Sequence, residues 1–177
     1  MYEQFKLRAE GVGAEVHRFG TSKEALAFVV TFLEQEGQPA VWAPGPLLGS
    51  LDPAQLVRVT GLSFAVSREA AATAHVGISE ADWAAADTGS LVADQSAVEQ
   101  RLAATLPAIH VALIGTDRIL ADKTAVFTRI NPGTSRYIAF ITGPSRTADI
   151  ERVLTIGVHG PKRLVIVCID EHAGGNA

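Results

Sequence analysis

The chain has a single cysteine, Cys168, among 177 residues, and no Cys-x-x-Cys or His-x-x-x-His spacing. It therefore cannot by itself ligate an iron–sulfur cluster or a conventional zinc site, and no disulfide framework is available to it. Cys168 lies inside the apolar run Leu164–Ile169 with no polar activating group beside it, which reads as a buried apolar residue rather than a nucleophile. Charge is sparse as well: 19% of residues are charged, the net charge is -4, and Lys and Arg form no cluster. That balance excludes the electrostatic footprint of a nucleic-acid or anionic-membrane binder. No uninterrupted apolar run reaches the roughly 18 residues of a membrane span, and the charges within Met1–Lys6 sit where a signal peptide needs an apolar core. The expected compartment is the cytoplasm.

What is present points to one α/β domain over residues 1–170, with a disordered tail at 171–177. Hydrophobic content of 47% supplies a proper core and is high enough for a buried partner surface, so a homo-oligomer is an open expectation. Met1–Ala9 reads as a short helix. Ala14–Phe19 alternates like a strand, and Thr21-x-x-Glu24 is a capping box opening a helix that carries Leu26, Val29, Val30 and Leu33 and stops at Gly37. Ala40–Ala43 reads as a buried strand ended by Pro44-Gly45-Pro46, with short extended pieces at Leu56–Val59 and Leu62–Val66. Ser79-x-x-Asp82 resembles a further helix start before Trp83–Ala86. Beyond it come a turn at Asp87–Gly89 into Ser90–Ala93, a helix over Ala97–Leu106, a strand at His110–Ile114 and a helix over Asp122–Ile130 stopped by Asn131-Pro132-Gly133. A strand at Tyr137–Thr142, a helix at Thr147–Ile156 and a strand at Leu164–Ile169 complete the pattern. Strands alternating with helices predict right-handed crossovers and a mainly parallel open sheet with helices on both faces.

The junction Gly143-Pro144-Ser145-Arg146-Thr147-Ala148-Asp149 carries most of the functional signal. Read as strand, tight turn and helix start, it places backbone N–H groups, the Ser145 and Thr147 hydroxyls and the planar Arg146 cation at the carboxyl edge of the sheet, a candidate carboxylate or phosphate site. Gly143 permits close backbone approach there. The same residues also fit a well-capped helix whose Arg146 pairs with Asp149 and Glu151. Thr116, Asp117 and Arg118 follow a parallel strand and are expected at the same edge, in one crevice with Ser145 and Arg146. Asp87-Thr88-Gly89-Ser90 is a turn whose N–H groups can hold an anion, with Asp87 or Asp117 as base or nucleophile, or else a simple hairpin. His110 reads as an oriented core histidine. A helix over Thr147–Ile156 spans about 15 Å, which places His159 at the opposite edge from Arg146 unless a second subunit supplies it, so His159 is a candidate for an interface.

Four segments together carry a resemblance: Gly77–Asp82, Asp87-Thr88-Gly89-Ser90-Leu91-Val92, Leu106–Val111, and Gly143–Glu151 with Gly157-Val158-His159-Gly160-Pro161. The chain resembles the LUD (lactate utilisation) domain family over roughly residues 70 to 170, and within it the short stand-alone members. The resemblance implies a fold similar to the ribose-5-phosphate isomerase, glucosamine-6-phosphate deaminase and CoA transferase group. It also implies a part in bacterial oxidation of L-lactate to pyruvate with iron–sulfur partner proteins, no cofactor being carried on this chain. The family's Glu-Thr-Gly-Thr is here Asp87-Thr88-Gly89-Ser90, which keeps charge and hydroxyl and shortens the acid by one methylene. Two readings follow: a subunit of a lactate-oxidising assembly that supplies a small-carboxylate site, or a free-standing enzyme on a sugar phosphate or CoA ester. A scaffold without catalysis is a third.

Overall fold

The structure, a computed structural model, describes residues 1–36, 39–43, 45–46, 56, 59–131, 133–148 and 154–171. Gly37, Pro44, Pro132, Asp149, Glu151 and the tail from His172 onward lie outside the described residues.

Six strands form the main sheet: β1 (Glu15–Phe19), β2 (Ala40–Trp42), β3 (Leu62–Ser63), β4 (Val76–Glu80), β7 (Ile109–Gly115) and β12 (Arg163–Ile169). Their order is β1-β12-β7-β4-β2-β3, and every neighbouring pair is parallel. The chain is thus α/β with a mainly parallel sheet. Five helices are described: α1 (Tyr2–Gly11), α2 (Ser22–Glu36), α3 (Arg68–Thr73), α4 (Val98–Thr105) and α5 (Lys123–Phe127). A smaller sheet, ordered β8-β5-β6-β9, is made of β5 (Trp83–Ala85), β6 (Ser90–Asp94), β8 (Ile119–Leu120) and β9 (Ile138–Ile141).

The central strands are apolar on both faces because both are covered. Trp42, Ile78, Leu113, Val167 and Ile169 pack against Ala25, Leu26, Val29, Phe32 and Leu33 of α2. On the other face Ile114, Leu164, Ile166 and Cys168 meet Phe5 and Ala9 of α1 and Ala84 and Leu91 of the small sheet. Full burial of each such Val, Leu or Ile contributes about 1.5–3 kcal/mol. Val41 and Ala43 pack under Ala71 of α3 and Ala103 of α4. Here α4 approaches so closely that a Cβ on Gly77 would lie 1.9 Å from the Ala103 carbonyl oxygen.

Several expected elements hold. The capping box is formed, with the Glu24 N–H donating to the Thr21 hydroxyl at 3.2 Å and the Thr21 N–H to Glu24 Oε2 at 3.1 Å. Others do not. In place of a helix over Thr147–Ile156 the chain forms an antiparallel pair, β10 (Arg146–Ala148) with β11 (Leu154–Ile156), in which β-branched Thr147, Thr155 and Ile156 favour extended backbone. Ser79–Asp82 is no helix start but the end of β4 and the step into β5. The helix expected over Asp122–Ile130 is shorter: Asp122 caps it, accepting the Ala125 N–H at 2.8 Å, and it ends at Phe127. Between β7 and β12 the crossover is therefore built from α5, two strands of the small sheet, β8 and β9, and the β10–β11 pair rather than from successive β-α units. Glu171 is tied back, its Oε2 accepting the Ser22 N–H at 2.8 Å.

His110 is the oriented core histidine that its position in an apolar strand indicated. It is buried on the small-sheet side, Nε2 lies 2.8 Å from the Ser79 hydroxyl, and burial pulls its pKa down to about 4. A histidine neutral in the fold and ordinary when unfolded binds more protons in the unfolded state between those pKa values, so stability rises with pH across that window. Urea denaturation should show a loss of about 3 kcal/mol on acidifying from about pH 6.5 to 4 that is absent from His110→Leu. Near neutral pH the variant should be the less stable, because Ser79 loses its partner, and the gap should close on acidification; parallel pH profiles would show that the fold leaves the proton affinity of His110 unshifted.

Candidate functional site

The two turns singled out in the sequence meet each other, at the amino edge of the main sheet. The Ser90 hydroxyl lies 2.7 Å from that of Thr142 and donates to Thr88 Oγ1 at 2.8 Å. Gly89 (φ +66°) and Gly143 (φ +73°) are left-handed, and each touches the backbone around the end of α1: a Cβ would fall 2.3 Å from the Ala9 nitrogen in the first case and 2.5 Å from the Val12 oxygen in the second. The Arg146 guanidinium donates to the Val12 carbonyl, the position of a cation satisfying the carbonyl end of a helix. Asp87 is exposed at the tip of the β5–β6 turn, its N–H donating to the Ala121 carbonyl at 3.1 Å.

This arrangement corrects two expectations. No helix begins at Thr147, so no helix dipole faces a ligand at Ser145 and Arg146. Nor do these residues share a crevice with Thr116 and Asp117, which follow the far end of β7, about 20 Å away along a seven-residue strand. A third correction concerns His159. The hairpin returns the chain to its starting edge, where the Ser145 N–H donates to Pro161 O and the Gly157 N–H to Ser145 O, both at 2.9 Å. His159 thus lies in an open groove of the Ser145 edge, lined also by Leu106, Pro107, Val158 and Lys162.

The carboxyl edge, where ligands of open parallel sheets bind, carries a pocket of about 170 Å³ lined by Gly45, Pro46, Glu80, Ala81, Asp82, Asp94, Gln100, Gly115, Asp117 and Arg118. Its parts come from the ends of β2, β4 and β7, from the end of β6 and from α4. Gly45 makes room for Glu80, whose carboxyl carbon sits 2.3 Å from where a Cβ would be. Arg118 is the one cation among the described lining residues; its Nε is 3.8 Å from Asp117 Oδ2, and its guanidinium lies 4.9 Å from the centre of the Trp83 ring. Beside the pocket, Thr116 donates to Asp170 Oδ1 at 2.9 Å, and Asp170 pairs with Arg18 at the same distance. The Arg18 hydrogen bond holds the Asp170 carboxyl below its ordinary pKa.

Within the pocket, Asp82 and Asp94 form a pair with opposite proton affinities. Loss of water raises the pKa of Asp82, and the neighbouring Asp94 charge adds to this, although Asp82 Oδ2 accepts the Asp94 N–H at 2.6 Å. For Asp94 the same desolvation is outweighed by hydrogen bonds from Ser96 and Ser135, so its pKa is lowered; the Ser96 hydroxyl donates at 2.5 Å. Their proton affinities are thus pushed in opposite directions, Asp82 holding a proton more readily than Asp94. Among the described residues no three His, Cys, Asp or Glu side chains are placed to share a metal ion.

A family model described as LUD domain matches residues 2–169. The chain belongs to the LUD domain family. Lactate utilization protein C from Exiguobacterium sp. is 34% identical over 111 residues, covering 59% of this chain and 48% of that protein. The protein of the same name from Anoxybacillus flavithermus is 36% identical over 104 residues, covering 58% and 47%. The chain thus spans about half the length of the curated relatives it matches. A crystal structure of a DUF162 family protein from Deinococcus radiodurans shares the fold, with a TM-score of 0.68 over 95% of each chain at 19% identity.

In this LUD domain, Glu80, Asp82, Asp94 and Gln100 were not singled out from the sequence as ligand-facing. The available signal was that Asp82 follows β4 as Asp117 follows β7; reading Ser79-x-x-Asp82 as a helix cap concealed it. Side-chain carboxyl NMR titration should give Asp82 a midpoint above, and Asp94 below, the ordinary aspartate value. Ser96→Ala should raise Asp94 and leave His110 untouched. Identical midpoints for the two aspartates would remove the acid–base pair.

Proposed function

We propose that this chain acts in bacterial lactate utilisation, as a subunit that holds a small 2-hydroxy or 2-oxo acid in the carboxyl-edge pocket while iron–sulfur partner proteins take the electrons. What supports the reading is family membership together with relatives named lactate utilization protein C. On the side of geometry, one observation carries it: a forked cation, Arg118, and a carboxyl with raised proton affinity, Asp82, line the same pocket beyond the ends of β4 and β7. The guanidinium suits the substrate carboxylate. In its ionised form Asp82 can accept the proton of the C2 hydroxyl as the alcohol becomes a ketone. Oxidation also needs an acceptor for the C2 hydrogen and its electron pair; the lone buried thiol, Cys168, is already reduced and has no second cysteine to pair with, so that role is assigned to the partners.

A second reading is favoured by the number of hydrogen-bond acceptors in the pocket. Glu80, Asp82, Asp94 and Asp117 line it together with Arg118, and carboxylates accept hydrogen bonds from hydroxyl groups, so the hydroxyls of a sugar phosphate also find partners there, with Arg118 as the cation for its phosphate.

Calorimetric titration of the chain with L-lactate, pyruvate and ribose 5-phosphate separates the two. Lactate or pyruvate should bind selectively, and Arg118→Ala should weaken them about tenfold or more, the loss of one charged hydrogen-bonding partner. Arg146→Ala should leave the affinity unchanged. The reverse pattern would move the site to the Gly143–Arg146 turn, and selective binding of the sugar phosphate would favour the second reading. Because an ionised Asp82 repels an anionic acid, affinity should rise as pH falls through its raised pKa; a flat profile would exclude Asp82 from the site.

A further inference from the structure

Arg118 stands at the acidic pocket as an exposed cation on a long, flexible stem. A guanidinium recognises a carboxylate through the fixed geometry of its fork, so a stem left free costs entropy at every binding event. Asp117 does little to hold it: their contact of 3.8 Å is longer than a hydrogen bond, and both side chains are exposed. Trp83 offers a better hold. The Arg118 guanidinium carbon lies 4.9 Å from the centre of its ring, within reach of the negative potential on an aromatic face.

Strand pairing makes this contact. Strands β5 and β8 run parallel with Ala84 beside Ile119 and Ala85 beside Leu120, and one step back along that register Trp83 falls beside Arg118. Trp83 is itself fixed. It pairs with Val92 of β6 and packs against the small-sheet cluster of Ala85, Val92 and Val126. A leucine would cover that cluster without offering an electron-rich face. Trp83 is not among the described residues that line the pocket, so its effect on a ligand passes through Arg118. Arg129 lies over the same ring, at 5.8 Å, and is not among those lining residues either. Of these two cations, Arg118 is the one that joins ring and pocket.

We propose that Trp83 is a positioning residue: its ring holds the Arg118 guanidinium at the pocket, where a carboxylate or phosphate can take both arms of the fork. The part that concerns a small-acid ligand rests on the lactate-utilisation reading of the pocket; the hold on Arg118 stands without it. A guanidinium pinned there also acts on its acidic neighbours. Glu80, Asp82, Asp94 and Asp117 share the pocket with it. Burial and the Asp94 charge raise the Asp82 pKa, and the Arg118 charge opposes them. Asp82 thus reports where Arg118 is, with or without a ligand.

The test replaces Trp83 by leucine, by phenylalanine and by a ring-fluorinated tryptophan, which keeps the shape and removes the negative face. Two readouts are followed in the full chain: the Asp82 midpoint by side-chain carboxyl NMR, and the affinity for pyruvate by calorimetry well above that midpoint. Arg118→Ala should raise the Asp82 midpoint, and Trp83→Leu and the fluorinated ring should move it the same way. Trp83→Phe, which still has a ring to offer, should restore most of the wild-type value, and Arg129→Ala should leave it in place. Pyruvate should bind about threefold or more weakly wherever the midpoint rises. Adding Trp83→Leu to Arg118→Ala should change neither readout further, because the one acts through the other. A fluorinated ring that leaves the Asp82 midpoint at its wild-type value would overturn the proposal, and this arm decides even where Trp83→Leu does not fold. An Asp82 midpoint indifferent to Arg118→Ala, or a Trp83→Leu effect that persists in full in Arg118→Ala, would do the same. Pyruvate that fails to bind while the midpoints move as stated would sink the small-acid reading and leave the hold on Arg118 standing.

Discussion

The parallel pairing of β12 with β7, seven residues deep from Arg163↔Ile109 to Ile169↔Gly115, is the constraint to which the rest of the fold answers. Strands of this kind bury both faces and so need two covers. One is α2, whose stripe of Ala25, Leu26, Val29, Phe32 and Leu33 lies along one face. The other is composite: α1, α3, α4 and the small sheet share the second face. Because every strand of the main sheet points the same way, the open ends gather at one edge, and polar residues that follow apolar strands are collected there without further design.

That edge is where the electrostatics become uneven. Asp170 is committed to Arg18 and Thr116, a partnership that fixes the position of the chain after β12. Asp82 and Asp94 are instead set against each other by burial on one side and serine donors on the other. The opposite edge is built for holding rather than reacting: Arg163 donates to Glu15 and Glu36, which ties β12 to β1 and α2, and Arg146 is spent on the end of α1. The chain thus spends similar residue types differently according to the end of the strand at which they fall.

Much of the architecture was legible in the sequence. The capping box at Thr21 and Glu24, the strands around His110 and Val165, and the helix over residues 98–105 all followed from local chemistry that tertiary packing did not override. Thr147–Ile156 was misread because a short apolar run with charges between fits either period, and the β-branched Thr155 and Ile156 decided it. That error moved Ser145, Arg146 and His159 to the wrong edges, since an edge is set by whether the chain crosses over or turns back. Asp94 was invisible for a different reason: its importance comes from Ser96, Ser135 and Asp82, a constellation that only the small sheet assembles.

Helix α1 precedes in the chain everything that secures it. Its closing residues are gripped by a turn near residue 89 and another near residue 143, each admitted by a glycine with no side chain to intrude. Sequence separations of that size make the seam slow to form, because long loops must close before any contact rewards them. During synthesis, therefore, α1 emerges well before the segments that seat it, and until then Phe5 and Ala9 are exposed surface that a chaperone or a neighbouring nascent chain can reach.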